Sequence, residues 1–356
     1  MSEEIERLRK EIDEIDREIV NLLARRAKAA QAIGRIKNDS NMPIYAPARE
    51  RAVLDNIVAQ NEGPLPASSL KSIFREIISA CRALEQRPKI AYFGMPASFT
   101  HMAALKTFGS ECVFVPHNDI RDIFSAVVKG SANYGVVPIE SSTGGIVPET
   151  VDQFIDSPLL ISGEAYLDVH HYLLSKGTLE EVKRVYSHAQ PFAQCEQWLR
   201  ENLPGAELIT EASTSHAAQR AAAEGPGAAA ISTELAAELY DLNIIAERIE
   251  DRAINRTRFW IIGQCENPPT GRDKTSLLFS TRHEAGALYR ALETYARHNI
   301  NLTMIQSRPS PNRPWEYVFF VDFQGHVSEP HVEQALRELE RCSQFVRVLG
   351  AYPEMD

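Results

Sequence analysis

The sequence predicts a multidomain chain: an all-α segment, then an α/β segment, then a small α+β unit. Three observations carry this expectation. Residues 3–38 repeat apolar side chains at heptad spacing. From residue 88 onward, short apolar runs alternate with helical patterns. Residues 274–353 read strand, helix, strand, strand, helix, strand. With 356 residues the chain is long enough for two or three domains, each burying its own core.

In the first segment, Ile5, Ile12, Ile19 and Ile33 occupy one set of seam positions, and Leu8, Ile15, Leu22, Ala29 and Ile36 the other. Such a helix is about 50 Å long at roughly 1.5 Å per residue. Its stripe needs later helices or another chain to cover it. A second helix is expected from Pro47 through Ile57. A third is expected after a Ser68/Ser69 cap, carrying Leu70, Ile73, Phe74, Ile77, Ile78, Cys81 and Leu84. Residues 1–87 therefore read as one all-α domain, intertwined with a partner chain.

At Arg87-Pro88 the pattern changes. Strands are expected at 89–94, 113–115, 134–139 and 228–231, with helices at 100–108, 120–129, 192–202 and 215–224. This alternation argues for parallel sheets that present ligands at the carboxyl ends of strands. Residues 88–265 form either one large domain or two lobes around a cleft. The polar turn 266–272 then leads into 274–353, whose βαββαβ order is the ferredoxin-like motif.

Composition excludes several function classes. The chain is 44% hydrophobic and 24% charged with a net charge of −10, so a nucleic-acid surface or an anionic membrane is not expected as partner. Five dispersed cysteines without a CxxC pair predict reduced thiols in a cytoplasmic protein and no zinc site. The charged start MSEEIERLRKE does not read as a signal peptide, and no apolar run reaches membrane-spanning length.

Local cation clusters stand out against this acidic background. Seven residues beyond Ile19 the apolar seam meets Arg26. Lys37 lies eleven residues further, close to three turns, and so shares that face about 16 Å away. Two long cationic side chains there can converge on an anion between them. Arg9 lies about 25 Å back and is rotated by roughly 100°, so it reaches the same ligand only from an antiparallel partner.

The segments LR at 8–9, LLARRAKAAQAIGRIK at 22–37, PIYAPARERAVL at 43–54 and FREIISACRALEQ at 74–86 resemble the all-helical chorismate mutase family. The resemblance implies a helix-exchanged dimer in which Arg9 crosses the interface. It implies that Arg9, Arg26 and Arg49 hold the two carboxylates and the enolpyruvyl side chain, that Lys37 sits at the ether oxygen and that Glu50 binds the ring hydroxyl. Cys81 stands where many relatives have Ser, and Glu85 where many have Gln at the ether oxygen. A carboxyl there donates a hydrogen bond only while protonated. The pericyclic rearrangement needs a held conformer and stabilised ether charge, not a nucleophile.

A second cluster lies at AINRTRFWIIG, 253–263, where a core strand opens on Asn255, Arg256, Thr257 and Arg258. Alternation puts Asn255, Thr257 and Phe259 on one face and Arg256, Arg258 and Trp260 on the other. Two further strand ends are rich in hydroxyls: GMPASFTHMAAL at 94–105, with Ser98 and Thr100, and the stretch after 134–139, with Glu140, Ser141, Ser142 and Thr143. Together with SHAQPFAQCEQWL at 187–199, these segments resemble prephenate dehydratase. The TRF triplet at 257–259 is that family's most specific signature. The resemblance implies two α/β lobes like a periplasmic-binding protein, with the active site between them. It implies a catalytic set of Thr257, Arg258, Phe259, Ser98, Glu140, Ser142 and Thr143, in which Thr257 donates to the departing hydroxyl. Ala97 and Ser141 depart from the usual Gly and Asn. Adjacent His170 and His171 point oppositely on an extended chain and read as structural.

KTSLLFSTRHEAGALYRAL at 274–292 and NINLTMIQSRPSPNRPWEYVFFVDFQGH at 299–326 resemble an ACT regulatory domain. The resemblance implies L-phenylalanine bound at an interface between two such domains by Gly286, Ala287 and Leu288 with Gln306, Ser307, Arg308 and Pro309. Gln306 replaces the usual Glu, which predicts weaker feedback. Together the resemblances imply a bifunctional enzyme of L-phenylalanine biosynthesis. It would act on chorismate and then prephenate, without cofactor or metal, as a cytoplasmic dimer or larger homo-oligomer. The alternatives are an arogenate dehydratase and a catalytically inactive amino-acid-sensing binding protein.

Overall fold

The heptad stretch forms one long helix, α1 (Ser2–Asp39), packed against α2 (Pro47–Ala59) and α3 (Ala67–Ala83) through α3. The structure, a computed structural model, describes residues 2–39, 45–252, 254–310 and 316–355. Residues 43–44 of the mutase-like motif, and 311–315 of the Pro-rich turn, lie outside them. The third helix does not start on the expected Ser68/Ser69 cap. It begins at Ala67 behind Pro66, whose extended backbone (φ −61°, ψ 147°) ends the incoming chain and whose carbonyl accepts from Leu70 N.

The heptad seam is not what α1 buries. Within the chain its covered positions are Leu23, Arg26, Ala27, Ala30, Gly34 and Lys37, all half-buried or buried. The seam residues Ile5, Leu8, Ile12, Ile15, Ile19, Leu22, Ile33 and Ile36 stay 45% or more exposed. Small Ala and Gly side chains set the face toward α3, and the large branched ones are left over.

The structure divides into two compact units, Met1–Pro88 with Thr107–Val113, and Lys89–Lys106 with Phe114–Asp356. The second begins with β1 (Lys89–Phe93), α4 (Phe99–Phe108), β2 (Val113–His117), α5 (Ile120–Val128), β3 (Tyr134–Ser141), β4 (Gly145–Ile146), α6 (Pro148–Asp156) and β5 (Leu160–Asp168). The chain then crosses to a second lobe. It contains β6 (Tyr172–Ser175), β7 (Arg184–Ser187), α7 (Ala189–Gln194), α8 (Glu196–Asn202), β8 (Glu207–Thr210), α9 (Thr214–Glu224), β9 (Ala228–Ser232), α10 (Glu234–Tyr240) and β10 (Asn243–Ala246). Strand β11 (Arg256–Gly263) returns to the first lobe. The third sheet follows with β12 (Asp273–Ser280), α11 (Ala287–Arg297), β13 (Leu302–Pro309), β14 (Tyr317–Gln324), α12 (Pro330–Cys342) and β15 (Phe345–Pro353). The single helix expected over 192–202 is two, broken at Cys195 (φ −119°, ψ 18°).

Both lobe sheets are mixed rather than parallel, which corrects the sequence expectation. The first has the order β2-β1-β3-β11-β5, with β4 beside β3. Strands β1 and β3 are parallel, but β11 is antiparallel to both its neighbours. It arrives from the second lobe instead of a βαβ crossover, so it enters from the opposite end. The second sheet, β10-β6-β9-β7-β8, keeps β7 parallel to β8 and β9 and turns β6 antiparallel. The third sheet, β13-β14-β12-β15, is antiparallel throughout and has the βαββαβ order read from the sequence.

One core joins the first and third sheets. Trp260, Ile262, Phe154 and Val137 pack in one cluster with Leu278, Phe320, Leu349 and Tyr352. Strand β15 runs so close to β5 that a Cβ at Gly350 would strike the Ile161 carbonyl. Asn267 closes the gap, its Nδ2 donating at 2.9 Å to both Ser162 O and Ala351 O. All five cysteines are unpaired. Among the described residues no helix is long and apolar enough to cross a membrane.

Candidate active sites

In the helical unit, Gly34 lets α1 receive the side chain of Glu85, whose Cβ, Cγ and Cδ fill the space a Cβ at residue 34 would take. Glu85 thus rests one turn before Lys37. Glu50 lies in the first turn of α2 and accepts from Arg82 Nη2 at 2.5 Å. Burial raises its carboxyl above the ordinary value, against the lowering pull of Arg82 and Lys37. Arg82 is itself buried, with its guanidinium 5.4 Å from the Tyr45 ring centroid and Nη1 3.4 Å from Phe108 O. Arg26 reaches Ile77 O at 3.5 Å, and Cys81 is buried on α3. Arg26 and Lys37 thus lie on α1, Glu50 on α2 and Cys81 on α3, with Glu85 in the turn just after α3 and packed against α1. Arg49 is exposed, and Arg9 lies on the bare half of α1, paired with Glu6 at 3.1 Å.

In the second unit, a cavity of about 650 Å³ opens between the lobes, lined by Thr143, Gly144, Gln190, Gln194, Arg252 and Asn255 among others. Its hydrogen bonds have one consistent direction. His171 Nε2 and Asn255 Nδ2 meet Gln194 Oε1 at 2.6 and 3.4 Å. Gln194 Nε2 donates to Thr143 Oγ1 at 2.8 Å, which in turn lies 3.5 Å from Asn255 Oδ1 and 3.1 Å from Ser141 Oγ. Burial pushes the His171 imidazole below its ordinary value, despite the raising pull of Gln194 and Glu250, so it serves as a neutral donor. The lining carboxylates are engaged. Glu250 accepts from His171 N and meets His170 Nδ1 at 2.7 Å, and Asp251 accepts from the first amides of α8.

Thr257 sits on β11 two residues beyond Asn255, half-buried, opposite Ser141 on one side and Leu167 on the other. The loop beside it is tied down twice: Ser142 N donates to Arg256 O, and Ser142 Oγ accepts from Arg256 N, both at 2.9 Å. Ser98 lies at the start of α4, its Oγ accepting from His101 N and donating to Phe93 O. That loop keeps a left-handed turn at Ala97 (φ 63°), and reaches the second lobe through Thr233 Oγ1 to Ala97 O, 2.7 Å. Glu140 pairs with Ile146 and Arg258 in the sheet.

Of the expected set, Thr143 is the member among the residues lining this cavity; Ser98, Glu140, Ser142 and Thr257 lie on neighbouring segments, and Phe259 and Arg258 lie in the packing. Phe259 is 1% exposed and belongs to the core. Arg258 points to the opposite face, into the junction with the third sheet. Its Nε donates to Glu164 at 2.8 Å, Nη1 to Asp322 at 2.6 Å and Nη2 to Tyr352 Oη at 3.0 Å. Burial alone would lower its pKa. Asp322, Tyr352 and Glu164 outweigh that and hold it well above the usual arginine value. Strand alternation explains the placement: a residue next to Thr257 cannot share its face.

In the third sheet, Gly286 (φ 77°) opens α11. Ala287 and Leu288 line a cavity of about 150 Å³ with Thr281, Arg282, Tyr317 and Phe319. Gln306 and Arg308 share a face of β13, while Ser307 and Pro309 are exposed on the other. Arg308, expected in the effector set, forks onto Asp152 on α6 at 2.7 and 2.6 Å.

Comparison with known proteins accounts for each part in turn. Family models match for chorismate mutase type II over residues 8–86, prephenate dehydratase over 90–267 and the ACT domain over 275–341. A bifunctional chorismate mutase/prephenate dehydratase of Aquifex aeolicus is 47% identical over 357 residues, covering 99% of this chain and 98% of the relative. The chain belongs to the bifunctional chorismate mutase/prephenate dehydratase family. Among solved structures, the prephenate dehydratase of Arthrobacter aurescens in complex with L-Phe is 30% identical with a TM-score of 0.70. It covers 75% of this chain and 90% of its own. A quorum-quenching acylase, GqqA, is equally similar at 30% identity and a TM-score of 0.70, covering 75% of this chain and 98% of its own.

For this member of the chorismate mutase/prephenate dehydratase family, sequence reasoning missed Arg82, Gln194, Asn255 and His171. Gln194 falls within the segment 187–199, which the resemblance covers without giving it a role, and Asn255 shares the Thr257 face by alternation with no further signal. Arg82 carries no sequence signal beyond being a charge beside the apolar stripe of α3, and His171 reads as structural.

Proposed function

We propose that the helical unit rearranges chorismate to prephenate and that the two-lobed unit converts prephenate to phenylpyruvate, with L-phenylalanine as feedback effector. The observation that carries this reading is the Thr143–Gln194–Asn255 network beside Thr257, joined with the full-length match to the bifunctional family. In the first site, Arg26 and Lys37 supply cationic donors and Glu50, oriented by Arg82, an acceptor for the ring hydroxyl. The bare seam of α1 supports a dimer in which Arg9 completes that site from the other chain.

In the second site, the C–C bond to the departing carboxylate breaks as CO₂ leaves. Its electron pair completes the aromatic ring, and the ring hydroxyl departs from the opposite carbon. Thr257 Oγ donates to that oxygen as negative charge builds on it. Arg252 is the cation among the lining residues and makes no ion pair among the described residues, so it is available to a substrate carboxylate.

The test is to supply chorismate, prephenate and arogenate separately to the purified chain and follow phenylpyruvate or phenylalanine by absorbance, with and without added phenylalanine. Phenylpyruvate from the first two substrates is expected. Product from arogenate alone would replace the reading with an arogenate dehydratase, and no product with phenylalanine still bound would leave a sensor. At the mutase site, Glu85→Gln replaces the carboxyl with a group that always carries an N–H donor, so mutase activity is expected to be kept or raised. Loss of activity in that variant would contradict a donor role at residue 85.

A further inference from the structure

We propose that the Arg308–Asp152 pair is the releasable contact through which the ACT domain acts on the dehydratase pocket, with the Arg258 cluster as the fixed pivot. The proposal rests on the reading of phenylalanine as effector and names the route by which it acts. Two segments border the pocket: the loop through Thr143 and Gly144, and the stretch ending at Asn255 that leads into β11, where Thr257 follows two positions on. The third sheet grips the chain next to each of them.

Next to Thr257, Arg258 is bound to Asp322 on β14, a strand that pairs directly with β13. Both acidic partners of Arg258, Glu164 and Asp322, have fully buried side chains. Asp322 Oδ1 has no hydrogen-bond partner among the described residues, so Arg258 is what holds this carboxylate. Lys274 Nζ adds a second cation on Glu164 at 3.1 Å. Separating buried, mutually compensated charges is costly, so this cluster moves as one piece.

Next to the loop, α6 begins at Pro148, four residues after Gly144. Thr150 Oγ1 ties α6 to Pro138 O at 2.5 Å. Arg308 forks onto Asp152 one turn into α6, and Arg347 donates to Phe154 O and Ile155 O at its far end. The Arg308 and Asp152 side chains are 25% and 41% exposed, so water can replace either partner at small cost. Of the Arg258 and Arg308 ion pairs, the latter is the one an effector can break, while Arg347 holds the far end of α6 through backbone carbonyls. Arg308 lies on β13 two residues from Gln306, within the strand that the resemblance assigns to effector binding. A shift of β13 pulls or frees α6 and the loop attached to it, while the Arg258 cluster keeps β11 in place.

The test uses the full chain with Asp152→Asn, which alters the dehydratase side only and leaves the ACT sequence intact. The expected result is normal dehydratase turnover without effector and saturable phenylalanine binding by calorimetry. Half-maximal inhibition should move up at least tenfold, or maximal inhibition should fall below half. Asp152→Glu, which keeps the charge, should retain inhibition. An inhibition curve for Asp152→Asn that superimposes on that of the unaltered chain would overturn the proposal. So would loss of phenylalanine binding or of effector-free turnover in that variant, since either would make the pair merely structural. If the unaltered chain binds no phenylalanine and is not inhibited, the feedback reading itself fails and takes the proposal with it.

Discussion

Replacing Thr257 by Ala is expected to slow dehydration of prephenate by roughly 10²–10⁴-fold and to leave chorismate rearrangement unchanged. The residue is half-buried and pairs with Ser141 across the sheet through its backbone, which the substitution leaves in place. Its strand is pinned by the two Ser142–Arg256 bonds through backbone atoms and the Ser142 hydroxyl, none of which the substitution touches. The helical unit is compact by itself and does not share this strand. Phenylpyruvate formation from prephenate, set against chorismate consumption by the same preparation, checks both halves. Dehydration within about tenfold of the unaltered chain would remove Thr257 from the chemistry.

Replacing the next residue should act on stability instead. Arg258→Ala leaves Glu164 and Asp322 buried with a cation removed, and breaking such a cluster costs about 3–5 kcal/mol. The neighbour two residues before it provides the control. Arg256 has a 43% exposed side chain, 3.7 Å from an exposed Asp168 and stacked over Tyr166. Its replacement by Ala should cost about 0–1 kcal/mol. Denaturant unfolding of the dehydratase–ACT unit, followed by tryptophan fluorescence from Trp260 under the Arg258 guanidinium, separates the two. A loss below about 1 kcal/mol for Arg258→Ala would mean that water reaches the cluster.

These two arginines show what was legible in the sequence and what was not. Period-2 alternation placed Arg258 opposite Thr257 correctly, yet the TRF resemblance drew it into the catalytic set. The sequence could not reveal that the face opposite Thr257 is covered by another sheet. That cover comes from residues 64 to 94 positions away, Asp322 and Tyr352 among them. Element types were legible because apolar periodicity is local, and the βαββαβ order of the last sheet followed from it. Strand direction was not: whether β11 runs with or against β3 depends on the route of residues 142–255 between them. The long helix was legible only in part. Its heptads left open whether later helices or another chain cover the seam, and the chain's own helices use the Ala and Gly face, a choice set by how closely α3 approaches.

The return of β11 to a central place in the first sheet has a consequence for biogenesis. Strands β3 and β5 leave the ribosome long before the strand that must lie between them, and the whole second lobe is made in the interval. Until residues 256–263 emerge, both inner edges stand open to the wrong partner, and closing the gap requires a long loop to be threaded back. Nascent chains stopped before residue 256 should therefore need chaperone protection that chains stopped after residue 263 do not.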